Sequence, residues 1–129
     1  MITIDAMFPV MTATDLTALK EFYETTFGFH TVFFDTSFYL HLVSPENGIQ
    51  LGFLHPNHPS QPEFLHAKMV QEGYVISFEV ANAQTVLKQA KELGLTISMP
   101  LKVEDWGQTH FMVRDPAGFN IDLVQHVNQ

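Results

Sequence analysis

Two histidines and two acids are the side chains of this sequence best suited to chemistry. His41 and His110 carry imidazoles that can change charge near neutral pH, and both fall on predicted strands. Glu79 and Asp122 also fall on predicted strands and could act as a carboxylate pair for proton transfer. The alternative is that the two histidines are hydrogen-bonding residues of a pocket wall and that the two acids are structural hydrogen-bond acceptors. The sequence contains no cysteine, and no spacing indicates a nucleophile activated by a base.

Three aromatic side chains could bind a ligand through their ring faces. Phe8 and Tyr39 lie on predicted strands, and Trp106, the only tryptophan, stands at the mouth of a predicted hairpin. Most of the 12 phenylalanines are instead expected in the core. Planar rings beside a few acids suit an aromatic or cationic ligand. Gln50 and Met112 are expected on the same surface as these rings.

A β-hairpin near the end of the chain is predicted to position several of these residues. In its turn, Asp115-Pro116-Ala117-Gly118, Pro116 presets φ for a type I turn and Gly118 can adopt the left-handed conformation. The turn pairs Arg114 with Asn120, Met112 with Asp122, and His110 with Val124. Because side chains alternate along a strand, one face is expected in the core: Phe111, Val113, Phe119, Ile121 and Leu123. The other face is expected to carry His110, Met112, Arg114, Asn120 and Asp122.

The order of predicted elements repeats, so we expect two βαβββ modules. Module one covers about residues 1–54, a linker about 55–72, and module two about 73–129. In module one we predict a strand at 2–11, a helix from Thr14 or Asp15 to Gly28, and strands at 29–34, 37–44 and 49–54. In module two we predict a strand at 73–80, a helix from Asn82 to Gly94 with Leu93 inward, and strands at 95–98, 108–113 and 119–125. The linker is rich in proline and irregular, and its histidines are expected to be solvated: His55, His58 and His66.

The repeat also assigns the faces of module one. Residues 48–53, G-I-Q-L-G-F, align with residues 118–123, G-F-N-I-D-L. The core side is expected to hold Phe38, Leu40, Leu42, Ile49, Leu51 and Phe53. The polar side is expected to hold Tyr39, His41, Val43, Gln50, Gly52 and Leu54. The polar faces of two curved sheets turned toward each other would enclose a ligand pocket.

Composition and charge limit the class of protein. A chain of 129 residues, 46% hydrophobic and 16% charged, fits one folded domain with a substantial core. The formal charge of −8 argues against nucleic acid as a partner and modestly favours cationic ligands. No apolar run approaches the roughly 20 residues that cross a membrane, and the first residues lack a basic signal-peptide region. We therefore predict a cytoplasmic protein without membrane contact.

The hairpin and the first helix also carry a family resemblance. D-P-A-G-F-N-I-D-L-V-Q, at 115–125, is similar to the closing signature of the vicinal oxygen chelate superfamily. That family includes glyoxalase I, extradiol dioxygenases, fosfomycin resistance enzymes and bleomycin resistance proteins. T-D-L-T-A-L-K-E-F-Y-E-T-T-F-G-F, at 14–29, resembles its first helix, and the similarity extends over nearly the whole chain. The resemblance implies an α+β fold of two βαβββ modules that form a half-open barrel-like cleft, with the helices outside.

Metal-dependent members of this family bind a divalent ion through one residue from each first strand and one from each last strand. The resemblance places these positions at Phe8, Gly52, Val75 and Asp122. A register shifted by two residues would bring in Gln50 and Ser77, which are weak donors. Transition metals need several nitrogen or oxygen ligands, and one carboxylate does not hold them. We therefore predict no metal at these positions and no other cofactor.

The segment E-D-W-G-Q-T-H-F, at 104–111, resembles the matching part of bleomycin resistance proteins, which sequester drugs without metal or chemistry. The leading prediction is therefore a homodimeric, metal-independent protein that binds a planar or cationic small molecule. Its predicted ligand-binding residues are Phe8, Tyr39, His41, Gln50, Glu79, Trp106, His110, Met112 and Asp122. The alternative is a glyoxalase-like lyase or isomerase, or a dioxygenase-type enzyme. Such an enzyme would use an acid–base pair or a relocated metal bound by His41, His110 and Asp122. A purely structural interaction module is disfavoured by the polar inner face.

Overall fold

The computed structural model, which describes residues 1–126, contains two α-helices and two four-stranded sheets. Module one comprises β1 (Val10–Thr12), α1 (Leu16–Phe27), β2 (His30–Asp35), β3 (Tyr39–Val43) and β4 (Gln50–Leu54). Module two comprises β5 (Ile76–Glu79), α2 (Ala83–Glu92), β6 (Thr96–Val103), β7 (Gln108–Arg114) and β8 (Asn120–His126). The modules fall in separate compact units, Met1–Val70 and a second one that begins at Gln71. The predicted α+β fold of two βαβββ modules is confirmed.

Both helices begin where the sequence predicts, because a side chain accepts a hydrogen bond from an otherwise unpaired backbone N–H. Asp15 Oδ1 accepts from the Ala18 N–H at 3.0 Å, and Asn82 Oδ1 accepts from the Thr85 N–H at 3.0 Å. Gly28 ends α1 in the left-handed conformation, with φ of 70°. No helix in this described part of the chain is long and apolar enough to cross a membrane.

The two sheets have the same strand order. Each sheet has one core face and a second face, called the open face, which carries His41 and Gln50 in module one and His110 and Asp122 in module two. The orders are β1-β4-β3-β2 and β5-β8-β7-β6, with the first pair parallel and the others antiparallel in each sheet. The hairpin register is as predicted, with Met112 opposite Asp122. The predicted core face of the hairpin is at most 1% exposed at Phe111, Val113, Phe119, Ile121 and Leu123. The open faces therefore carry the polar residues, as the alternation indicates.

Several boundaries differ from the sequence prediction. The strand predicted at 2–11 is only Val10–Thr12, because its partner β4 has five residues and the last ladder bond on that side runs from Gly52 N–H to the Pro9 carbonyl. The strand predicted at 73–80 is likewise shorter, at Ile76–Glu79. The strand predicted at 95–98 is too short, because β6 has eight residues and pairs with β7.

Two predicted core residues and one loop also need correction. Leu93 is 57% exposed because it caps the end of α2 and leaves the buried helix face. Ile49 is 38% exposed because it precedes β4 and lies outside the alternating strand. The linker, predicted to be irregular, contains a short 3₁₀ helix at Glu63–Leu65. None of these differences moves a residue of the two open faces.

Candidate functional site

The open face of module one carries a short chain of hydrogen-bonded side chains. Tyr39 Oη lies 2.7 Å from His41 Nδ1, and His41 Nε2 lies 2.7 Å from Gln50 Oε1. The Phe8 ring meets the His41 ring edge-on, with centroids 4.7 Å apart. Gly52 lies opposite His41 on β4, and a Cβ added there would collide with the Tyr39 hydroxyl. Four predicted site residues therefore lie together, with the Tyr39 ring over a glycine.

The neighbours of His41 engage both of its ring nitrogens. The amide oxygen of Gln50 can only accept, so His41 Nε2 carries a proton and donates it. Nδ1 is paired with the hydroxyl of Tyr39. Burial raises the pKa of Tyr39, which keeps this hydroxyl protonated. The ring of His41 is therefore held by a hydrogen bond at each nitrogen.

The open face of module two carries a histidine between two carboxylates. His110 Nδ1 lies 2.8 Å from Asp122 Oδ1, and His110 Nε2 lies 2.9 Å from Glu104 Oε2. The other oxygen of Glu104 accepts from Lys102 Nζ at 3.2 Å. The side chains of Glu104, His110 and Asp122 are about one-tenth exposed. The sequence prediction had grouped His110 with Asp122 but had missed Glu104.

Both carboxylates act on the charge of this histidine. Because each ring nitrogen faces a carboxylate oxygen, each must donate, so His110 is an imidazolium. Burial favours the neutral ring, but the hydrogen bonds to Glu104 and Asp122 outweigh it and raise the pKa of His110. The hydrogen bond from His110 also lowers the pKa of Glu104. The cluster is therefore a row of alternating charges that runs from Lys102 to Asp122.

A second row of contacts joins two predicted site residues that are far apart in sequence. Trp106 Nε1 donates to Gln108 Oε1 at 2.9 Å, and Gln108 Nε2 lies 3.4 Å from His126 Nδ1. His126 Nε2 lies 2.9 Å from Glu79 Oε1. Trp106 is 65% exposed, in the turn between β6 and β7. The indole ring is therefore held by its polar edge, and its face is accessible.

The structure thus groups the predicted site residues by module. Phe8, Tyr39, His41 and Gln50 form one cluster, whereas His110 and Asp122 form another with Glu104. Met112 lies opposite Asp122 on the same face. Glu79 does not share a hydrogen bond with Asp122: its carboxylate pairs with His126, and that of Asp122 pairs with His110.

Glu104, Gln108 and His126 were missed for an identifiable reason. Glu104 follows a strand predicted to end at residue 98, whereas β6 continues to Val103 and brings Glu104 beside His110. Gln108 and His126 stand opposite each other at the ends of β7 and β8, so extending the predicted hairpin by one pair would have found them.

The residues at the metal-binding positions of the resembled family do not fit a divalent ion. Phe8, Gly52 and Val75 have no oxygen or nitrogen in their side chains. Asp122 is the one carboxylate, and it is bonded to His110. The observed register places Val10 opposite Gly52 and Ser77 opposite Asp122, which adds one weak hydroxyl donor. This set lacks the ligands that zinc, iron or manganese require.

The histidines predicted to bind a relocated metal already have other hydrogen-bond partners. Among residues 1–126, no three or more histidine, aspartate and glutamate side chains are arranged to hold a metal ion. His41 and His110 each have both ring nitrogens in hydrogen bonds. A metal ion would have to displace one of these contacts.

The family model of the glyoxalase/bleomycin resistance protein/dioxygenase superfamily matches residues 6–123, and the chain belongs to this superfamily. No curated protein matches the sequence. The membership confirms the resemblance found at the hairpin and the first helix.

Solved structures share the fold at low sequence identity. Lactoylglutathione lyase from Agrobacterium tumefaciens superposes with a TM-score of 0.75 at 18% identity, covering 94% of this chain and 92% of that one. A superfamily member from Sphaerobacter thermophilus has a TM-score of 0.75 at 24% identity, covering 96% and 98%. The bleomycin-binding protein from Streptomyces verticillus, in complex with copper(II)-bleomycin, has a TM-score of 0.66 at 20% identity, covering 100% of both chains. The fold is therefore shared by an enzyme and by a drug-binding protein.

Proposed function

We propose that this chain is a homodimeric, cytoplasmic small-molecule binding protein of the bleomycin-resistance type, which takes a planar or cationic compound without a metal. This proposal rests mainly on which residues stand at the metal-binding positions of the family. Gly52 has no side-chain donor and is covered by Tyr39, and one carboxylate oxygen of Asp122 is bonded to His110. Within each module, the histidine of the open face has both ring nitrogens in hydrogen bonds, which favours binding over catalysis.

The exposed tryptophan supports a planar ligand. Its ring face is accessible while its N–H is bonded to Gln108, so stacking would not cost a hydrogen bond. Glu79 lies at the far end of the same row of contacts, with a side chain 74% exposed, and Asp105 precedes Trp106 in the turn. These carboxylates favour a positive charge on the ligand.

The similarity to a bleomycin-binding protein adds to this argument, because that protein takes copper(II)-bleomycin on the same fold. The competing function is lyase or isomerase chemistry through an acid–base pair, for which the Agrobacterium enzyme is the analogue. His110 bears on that alternative: both its nitrogens already donate to carboxylates, so it has no free position at which to accept a substrate proton.

Titration calorimetry with N-methylphenanthridinium, a planar cation, and tetraethylammonium, a non-planar cation, tests the proposal. We expect the planar cation to bind and the non-planar cation to bind far more weakly. Trp106→Ala should make the binding free energy of the planar cation less favourable by about 0.5–1.5 kcal/mol, beyond the effect of the lost contact area, because one stacking face is removed. Sedimentation equilibrium on the same sample should give twice the 14.6 kDa chain mass.

Val103→Ala is the matched control, since Val103 is 72% exposed at the end of β6 and near the same turn. It should leave the affinity unchanged. If neither compound binds, or if Trp106→Ala behaves like Val103→Ala, the proposal is wrong. If Trp106→Ala unfolds the protein while each folded molecule binds normally, Trp106 is a structural residue and not a ligand contact.

A further inference from the structure

We propose that Glu104 is a positioning residue, which holds the turn between β6 and β7 against the open face of module two and thereby presets the orientation of Trp106. The inference deepens the proposed function and rests on it, because it names the side chain that prepares the tryptophan for a ligand. Glu104 acts through His110 and does not itself contact the ligand. Its effect on Trp106 is present in the ligand-free protein, where it can be measured directly.

The turn, residues 104–107, is short and closed at its base by backbone hydrogen bonds. The Glu104 N–H donates to the Gln108 carbonyl at 2.7 Å, and the Gly107 N–H donates to the Glu104 carbonyl at 3.2 Å. Gly107 has a φ of 93°, which glycine adopts without steric cost. These bonds fix the shape of the turn. They do not fix its tilt against the sheet, because a closed turn can pivot as a unit on the two strand ends that carry it.

The side chain of Glu104 restrains that tilt. Lys102 stands opposite His110 in the register of β6 and β7, so Glu104, two residues further on, is a diagonal neighbour of His110 on the same face. Glu104 Oε2 lies 2.9 Å from His110 Nε2, and Oε1 lies 3.2 Å from Lys102 Nζ. A carboxylate that is bonded at both oxygens has little freedom to rotate. The first residue of the turn is therefore tied to the sheet by its side chain as well as by its backbone.

His110 is a rigid anchor for Glu104, because it is held from its other side too. His110 Nδ1 lies 2.8 Å from Asp122 Oδ1 on the neighbouring strand, β8. The side chains of His110 and Asp122 are 8% and 11% exposed, so water competes poorly for these bonds. Because β8 lies inside the sheet, between β5 and β7, the turn is connected through Glu104, His110 and Asp122 to an interior strand.

Trp106 lies two residues after Glu104 and takes its position from the turn. Its indole N–H donates to Gln108 Oε1 at 2.9 Å, and Gln108 is the first residue of β7. Because Trp106 is 65% exposed, packing against neighbouring side chains restrains its ring only weakly. The bond between Glu104 and His110 and the bond between Trp106 and Gln108 therefore orient the ring together. A side chain that is oriented beforehand loses less conformational freedom on binding, which favours affinity.

The single tryptophan makes this restraint measurable, because all tryptophan fluorescence of the chain comes from Trp106. Time-resolved fluorescence anisotropy of the ligand-free protein reports how freely the indole ring moves. We expect Glu104→Ala to increase the amplitude of the nanosecond motion of Trp106. The same substitution should weaken the binding of N-methylphenanthridinium by about 2- to 12-fold, which corresponds to the cost of ordering one side chain on binding. Calorimetric titration gives the dissociation constant.

Two further variants separate position from charge. Glu104→Gln removes the charge but keeps an oxygen that accepts from His110, so the mobility of Trp106 and the affinity should stay closer to the parent protein than to Glu104→Ala. Glu104→Asp keeps the charge but is one methylene shorter, so its carboxylate no longer reaches His110 and both properties should resemble Glu104→Ala. Val103→Ala is the control, because Val103 directly precedes Glu104 and is 72% exposed, and it should match the parent protein in both measurements.

Thermal unfolding identifies the variants that fold, and if Glu104→Ala does not, Glu104→Gln and Glu104→Asp decide the question. If the substitutions to alanine and aspartate leave the motion of Trp106 unchanged while the parent protein binds the cation, the positioning role is wrong and the proposed function stands. If Glu104→Gln weakens binding as much as Glu104→Ala while Trp106 stays fixed in both, Glu104 acts through its charge and the inference is overturned. If the parent protein does not bind N-methylphenanthridinium, the proposed function is wrong and this inference falls with it.

Discussion

Replacing Phe111 with alanine is expected to lower the free energy of unfolding by about 3–5 kcal/mol. Phe111 lies in β7 opposite Leu123, and it is 0% exposed. Removal of its ring leaves a cavity that the surrounding strand residues can fill only in part. Both the lost burial and the cavity therefore destabilise the fold.

Chemical denaturation followed by circular dichroism measures this loss. Trp106→Ala is the matched control, because Trp106 is an aromatic residue only five positions away but is 65% exposed. It should change the free energy of unfolding by no more than about 0.5 kcal/mol, as surface substitutions usually do. Equal losses in the two variants would contradict the assignment of Phe111 to the core and Trp106 to the surface.

The second large effect is expected for Asp122→Ala, which should cost about 3 kcal/mol of stability near pH 6, at the lower end for a broken buried ion pair. The substitution leaves the Nδ1–H of the His110 imidazolium without its acceptor, while Nε2 remains bonded to Glu104. Both side chains are about one-tenth exposed, so water replaces the lost carboxylate poorly. Asp105→Ala, on an exposed aspartate, is the control and should be nearly neutral.

The pKa shifts of His110 and Glu104 define the pH range in which this cluster stabilises the fold. The pKa of His110 is raised, so its contribution is full below its ordinary value of 6.5 and is lost as the pH rises through the folded-state pKa. The pKa of Glu104 is lowered, so its contribution is full above its ordinary value of 4.5 and is lost as the pH falls through the folded-state pKa. The difference in stability between the parent protein and Asp122→Ala should therefore shrink at alkaline pH. A difference that grows above neutral pH would show that His110 is not the cation of the cluster.

Much of the fold follows from local sequence signals. Pro116 and Gly118 specify one turn, and that turn specifies the register of β7 and β8 because each strand residue has a fixed partner. The register then divides the hairpin into a buried face and an open one. Asp15 and Asn82 specify the helix starts by the same kind of local hydrogen bond.

The details of the candidate site depend on contacts that the sequence does not display. The bulge in β2 depends on how that strand pairs with β3. It sets Phe33 opposite His41, although Phe33 and its neighbour Phe34 are indistinguishable by residue type. The role of Glu104 depends on the length of β6. The sequence suggests a shorter strand because β6 contains a proline, which an edge strand tolerates. Residues 1–9 alternate like a strand, but β1 begins only at Val10, where its residue pairing with β4 begins.

Metal content measured together with ligand affinity tests the central claim most directly. Protein incubated with zinc, manganese or iron(II) and then desalted is analysed by mass spectrometry for bound metal, and N-methylphenanthridinium is titrated with and without a chelator. We expect far less than one metal ion per chain and the same dissociation constant in both titrations. About one ion per chain, lost in Asp122→Ala and required for binding, would contradict a metal-independent binding protein.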